Sequence, residues 1–103
     1  MRRAKVLVHG VPAGILEETD IKNQYRFIYN EGYKGESVSL TMPISQQIFE
    51  FNSFPPFFDG LLPEGVILDG LLKQKKIDKN DYFSQLIAVG ADMVGAVTVE
   101  EII

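Results

Sequence analysis

The chain has 103 residues, 46% of them hydrophobic, with seven Phe, four Tyr and a formal net charge of −4. That is the common size of one domain, expected here to span residues 1–103, and enough apolar material for a single core, which argues against disorder. The absence of cysteine removes disulfides, thiolate nucleophiles, Cys-ligated zinc and iron–sulfur clusters together.

A single histidine, His9, cannot form a His-based metal site, so neither metal nor cofactor is expected. The one dense basic cluster is Lys73, Lys75, Lys76 and Lys79, and a protein that tracks phosphates carries a stronger positive stripe, so direct nucleic-acid binding is not expected. No apolar run approaches the ~20 residues that span a bilayer. Met1-Arg2-Arg3-Ala4-Lys5 is followed only by Val6-Leu7-Val8, too short for a signal peptide, and a cytoplasmic location is the expectation.

Ala4–His9 is rich in Val and Leu and predicts a strand. Gly10-Val11-Pro12-Ala13-Gly14 reads as a turn, and Gly14–Glu18 as the returning strand of an amino-terminal hairpin. After a polar turn at Thr19–Asn23, Gln24–Tyr29 sets Tyr25, Phe27 and Tyr29 on one face of a half-buried strand. Ser37–Met42 alternates and predicts another strand, ended by Pro43. Pro55 or Pro56 is suited to open a short helix through Leu62, and Pro63 the next one, where Val66, Ile67, Leu71 and Leu72 recur near the helical period. Asp78 or Asn80 is expected to cap a third helix, Asp81–Val89, stopped by Gly90, and Ala96–Val99 closes the chain as a strand. Strands, then helices, then one strand predict an α+β domain: a small, mostly antiparallel sheet with about three short helices on one side.

Catalytic constellations are scarce. Gly90-Ala91-Asp92-Met93-Val94-Gly95 resembles a nucleotide loop only superficially, because it runs from a helix into a strand and lacks the following Lys and Ser/Thr. Asp59, Glu64 and Asp69 suit capping or solvation better than acid–base work, and His9 reads as a polar residue at a strand end. The lysine cluster reads as a solvated helix end. Phe49, Phe51, Phe54, Phe57 and Phe58 crowd ten positions around Pro55-Pro56. Most must fill the core, but a short helix cannot hide all of them, which leaves core alone or core plus interface as alternatives.

Phe57-Phe58-Asp59-Gly60-Leu61-Leu62-Pro63-Glu64-Gly65 resembles the FFDNLLPEG signature of the N-terminal subdomain of HipA-type serine/threonine kinases. Ser37–Pro43 resembles the family's SLSLPL strand, Tyr82–Gly90 its FDLLSEIG helix, Asp92–Val97 its DSVGAV turn, and Gly14-Ile15-Leu16 its VGEL strand. Together these span nearly the whole chain. None of the residues resembles the kinase body's catalytic-loop Asp, metal-binding Asp or nucleotide-anchoring Lys. A chain of this extent resembles HipS, the small protein of split toxin–antitoxin systems. The resemblance implies a non-catalytic regulatory subunit that binds a HipT- or HipA-like kinase chain, with a HipB-like helix-turn-helix DNA-binding protein joined through the complex. The residues expected to meet the kinase are Phe57, Phe58, Asp59, Leu61, Leu62, Pro63, Glu64, Gly65 and Val66. The chain has no Trp, so inhibition by an inserted Trp does not transfer, and inhibitor, activator and stabiliser all stay open. The alternative is an orphan or self-associating interaction domain without a kinase partner.

Overall fold

The computed structural model describes residues 1–21, 23–92 and 95–102. Its strands are β1 (Arg2–Val8), β2 (Val11–Glu18), β3 (Tyr25–Tyr29), β4 (Ile48–Phe51) and β5 (Val97–Ile102). The helices are α1 (Pro56–Asp59), α2 (Gly65–Lys75) and α3 (Tyr82–Val89), the last followed by a 3₁₀ turn at Gly90–Asp92. The strands form one antiparallel sheet in the order β4-β3-β2-β1-β5, an α+β architecture as expected.

Period-2 patterning decides which face is covered. Ala4, Val6 and Val8 of β1, Leu16 of β2, Tyr25, Phe27 and Tyr29 of β3, and Val97 and Val99 of β5 are buried and point to the helices. Between them the alternate residues point outward. Phe58 of α1 and Phe83 and Leu86 of α3 complete the core from the helical side. Gly14 is buried in β2 because a Cβ there would collide with the Ile28 carbonyl and the Phe27 ring. At Gly90 a Cβ would strike the Val99 carbonyl, so glycine lets the end of α3 lie directly on the backbone of β5.

Several expected elements differ. The hairpin turn shrinks to His9 and Gly10, with φ of 50° and 79°, and Pro12 lies inside β2 at an irregularity where the register shifts between Val6 and Leu7. A bulge tolerates a proline that a regular ladder would reject. Ser37–Met42 is not a ladder strand. Only an isolated bridge joins Ser39 to Met42. The Tyr29 hydroxyl accepts from the Val38 N–H (2.8 Å) and donates to the Met42 carbonyl, and the Ser39 hydroxyl takes the Thr41 N–H (3.2 Å). These side chains hold backbone groups that a neighbouring strand would otherwise pair. Ile48–Phe51, by contrast, is a strand: Phe49 and Phe51 stand opposite Phe27 and Tyr25, and Ile48 and Glu50 opposite Ile28 and Arg26. The first helix ends at Asp59 rather than Leu62. The cap of α3 is Asp81, whose carboxylate accepts from the Ser84 N–H at 3.1 Å, while Asp78 accepts from the Asn80 N–H in the preceding turn. The expected turn through Met93 and Val94 lies partly outside the described residues, as does Lys22 of the Thr19–Asn23 turn.

Candidate partner-docking surface

Aromatic packing fixes the position of α1. Phe58 is fully buried against Phe27, their ring centroids 6.0 Å apart, and Phe57 meets Phe58 edge-on at 5.2 Å. Phe54 meets Tyr25 edge-on at 5.3 Å and Tyr82 at 5.7 Å, joining β3 to the start of α3. Offset and edge-on pairs of this kind add about 0.5–1.5 kcal/mol each beyond the area they bury. The Pro-rich approach therefore becomes a rigid corner, and the chain beyond it is placed by Leu61 and Leu62, which are half-buried against the core.

From that corner the structure sorts the nine expected contact residues. Phe58 lies beneath the surface as an anchor. Phe57, Leu61, Leu62 and Pro63 are half-buried, and Asp59, Glu64, Gly65 and Val66 are exposed. Glu64 precedes α2 in extended conformation, and Gly65 opens the helix at φ 60°, a left-handed value that favours glycine. No residue of α2 is buried, and its chief neighbour is α3. Val66 is 86% exposed and Ile67 74%. Phe57 also lines an apolar groove of about 290 Å³ with Met42, Phe49, Phe51 and Pro55, and on its other side a shallow depression with Leu40, which is fully exposed.

Ile67 and Leu40 were not among the expected contacts. The signal for Ile67 was the run Val66-Ile67-Leu68, whose three consecutive apolar residues wrap a helix too widely to share one face. Leu40 was hidden by the strand reading, which made Val38, Leu40 and Met42 one face. Val38 and Met42 are buried and Leu40 is not.

A second, polar recess of about 590 Å³ is lined by Arg2, Glu18, Asp20, Tyr25, Asp78 and Asp81, among others. Its central cation is already engaged. Arg2 donates to Glu18 at 2.7 and 2.8 Å, to Asp81 Oδ1 at 2.8 Å and to the Ser84 hydroxyl at 2.8 Å, and lies 5.0 Å from the centre of the Phe83 ring. These hydrogen bonds to Glu18 and Asp81 raise the Arg2 pKa. For Asp81, burial pushes the carboxyl upward, but hydrogen bonds from Arg2 and Ser84 outweigh it and hold the group below its ordinary value. The cluster thus works as a clamp between β1, β2 and α3. Among the described residues no group of His, Cys, Asp and Glu is placed to hold a metal ion. No helix of the described residues is long and apolar enough to cross a membrane. Asp59, Glu64 and Asp69 are all exposed, and His9 stands 3.5 Å from Glu36.

The family model for the HipA N-terminal domain matches residues 4–100. The chain belongs to the HipA N-terminal domain family. Among solved structures it is similar to the N-terminal domain of HipA toxin, 32% identical with a TM-score of 0.78, covering all of this chain and 94% of the other. It is 35% identical over 101 residues to an uncharacterized protein of Haemophilus influenzae (strain ATCC 51907 / DSM 11121 / KW20 / Rd), covering 98% of this chain and 93% of that one. It is also 35% identical over 83 residues to the putative kinase Y4dM of Sinorhizobium fredii (strain NBRC 101917 / NGR234), where the match takes in 71% of this chain but 20% of the relative. Membership sets this HipA N-terminal domain in a toxin–antitoxin context.

Proposed function

We propose that this HipA N-terminal domain is a non-catalytic regulatory subunit that docks on a HipA- or HipT-type serine/threonine kinase chain and modulates it. The contact surface comprises Phe57, Asp59, Leu61, Leu62, Pro63, Glu64, Gly65 and Val66, with Phe58 as the anchor below and Ile67 added. The observation that carries this reading is α2: an 11-residue helix with no buried residue, presenting Val66 and Ile67 to solvent directly after the rigid aromatic corner. A helix face left uncovered in this way is suited to a partner. The putative kinase Y4dM supports the choice of partner, since its matching stretch is one fifth of a longer chain. A HipB-like helix-turn-helix protein joins through the kinase, so this chain itself needs no contact with DNA.

The test is co-purification with a HipA-type kinase from the same organism, for the wild type and for the double variant Val66→Asp, Ile67→Asp. The wild type forms a complex at micromolar concentration. The variant loses at least about tenfold in affinity, as removal of a central apolar contact does, while its Tm stays close to that of the wild type, because exposed substitutions shift stability by about 0.5 kcal/mol or less. Separate elution of wild type and kinase, or unchanged binding by the variant, overturns the docking surface.

A further inference from the structure

The face of the sheet opposite the helices carries no covering element. Across it the registers align one row of charges: Glu50 of β4 beside Arg26 of β3, Arg26 beside Glu17 of β2, and Glu17 beside Arg3 of β1. The signs alternate, −, +, −, +. The next row on the same face is Ile48, Ile28 and Ile15, continued by Lys5 and Glu100. Leu7 lies a further row along. Ile48 is 46% exposed, and Ile28, Ile15 and Leu7 are partly so.

We infer that this outer sheet face is the contact between two copies of the chain, packed face to face about a two-fold axis parallel to the strands and passing between β2 and β3. The charge row selects the occupant. Such an axis keeps each row opposite itself and reverses its order. Arg3 then meets the Glu50 of the second copy, Glu17 meets its Arg26, and each of the four positions faces the opposite sign. An in-plane axis across the strands would instead set each residue of this row against its own kind. In the neighbouring row the same operation brings Ile28 over Ile15 twice, and covers Ile48 with the aliphatic stem of Lys5, whose ammonium reaches past it to water. Two sheets with strands nearly aligned pack about 10 Å apart in this manner.

The charges have capacity left for such a contact. Within the row the described residues form one ion pair, Arg26 Nε to Glu17 Oε1 at 3.4 Å, while Arg3 and Glu50, both exposed, form none among them. Arg2, on the buried side, is by contrast fully engaged. The strand dimensions give the face a footprint of roughly 500 Å². That is below the ~800 Å² per partner of a standard stable interface, so the dimer is weak and set by concentration. The face lies across the sheet from α1, and the inference stands apart from the kinase reading.

The experiment is sedimentation equilibrium of the full chain over about 10–500 μM, a range suited to weak association. It compares the wild type, Glu17→Arg, Arg26→Glu, and an equimolar mixture of the two variants. Each variant alone places like charges in opposition twice and dimerises at least about tenfold more weakly, since close like charges at an interface cost several kcal/mol. The mixture sets opposite charges against each other at all four positions between unlike chains, and association returns to within about threefold of the wild type. Circular dichroism establishes that each variant is folded. If one is not, Ile28→Lys serves instead and gives a monomer. A wild type that stays monomeric throughout, or a mixture that associates no better than its components, overturns the inference.

Discussion

Replacing Asp81 with Ala removes a helix cap, which also takes the Ser84 hydroxyl at 2.6 Å, and an ion pair through one carboxylate. The group accepts from the Ser84 N–H at 3.1 Å, capping α3, and from the Arg2 guanidinium at 2.8 Å, tying α3 to the sheet. Losing an N-cap of this kind costs about 1 kcal/mol. The ion pair is partly solvated, with side-chain exposures of 39% and 31%, and contributes about 0.5 kcal/mol more. For a domain near 100 residues, about 1.5 kcal/mol lowers Tm by roughly 6–12 °C. Asp81→Asn retains the cap and loses only the pair, so its deficit is about one third as large. The pH dependence supplies a second check. The folded-state pKa of Asp81 lies below its ordinary value, so its contribution is fully present above the unfolded pKa and disappears as the pH falls through the folded one. Thermal unfolding followed by circular dichroism at neutral pH and at about pH 2 should therefore show the deficit of Asp81→Ala at the first and its shrinkage at the second. A variant that melts within about 2 °C of the wild type at neutral pH, or one whose deficit persists undiminished in acid, refutes the reasoning.

Gly90→Ala should cost about 3 kcal/mol or more despite the ordinary helical φ of −57°, because the added methyl group strikes the Val99 backbone, which has no rotamer to relieve it. Chemical denaturation measures this, and a loss below about 1 kcal/mol would mean that α3 slides freely on β5. Tyr29→Phe leaves the Val38 N–H and the Met42 carbonyl without their buried partner and should lower stability by about 1–3 kcal/mol. Hydrogen exchange should show the Val38 amide losing protection in that variant, and unchanged exchange there would count against the role given to the hydroxyl.

Strong periodicity made β1, β3 and α3 readable from sequence. Tyr25, Phe27 and Tyr29 stand where alternation puts them, and Phe83 and Leu86 share the buried face of α3. One misread element and one that sequence did not predict have one cause. Ser37–Met42 and Ile48–Phe51 are both short and both alternate, and only their long-range partners distinguish them. Tyr29 claims the backbone of the first, and β3 pairs with the second. The cap moved from Asp78 or Asn80 to Asp81 because all three types suit the position and spacing alone does not choose. For the proposed docking surface, sequence singled out the stretch but not its orientation. It did not show that Phe58 is enclosed or that Ile67 is open, since both follow from how the aromatic corner turns. The charge row was not legible at all, because Glu50, Arg26, Glu17 and Arg3 become neighbours only once the register is set.

Strand β1 pairs with β5, far along the sequence from it: Arg3 lies opposite Ile102 and Val8 opposite Val97. Contacts so far apart in sequence form slowly, because a long loop must close before they reward it. During synthesis the β1–β2–β3 meander can assemble early, yet β1 keeps one row of backbone groups unpaired until residues 97–102 emerge. The nascent domain therefore carries a sticky strand edge until β5 is made, and the emergence of residues 97–102 ends that hazard.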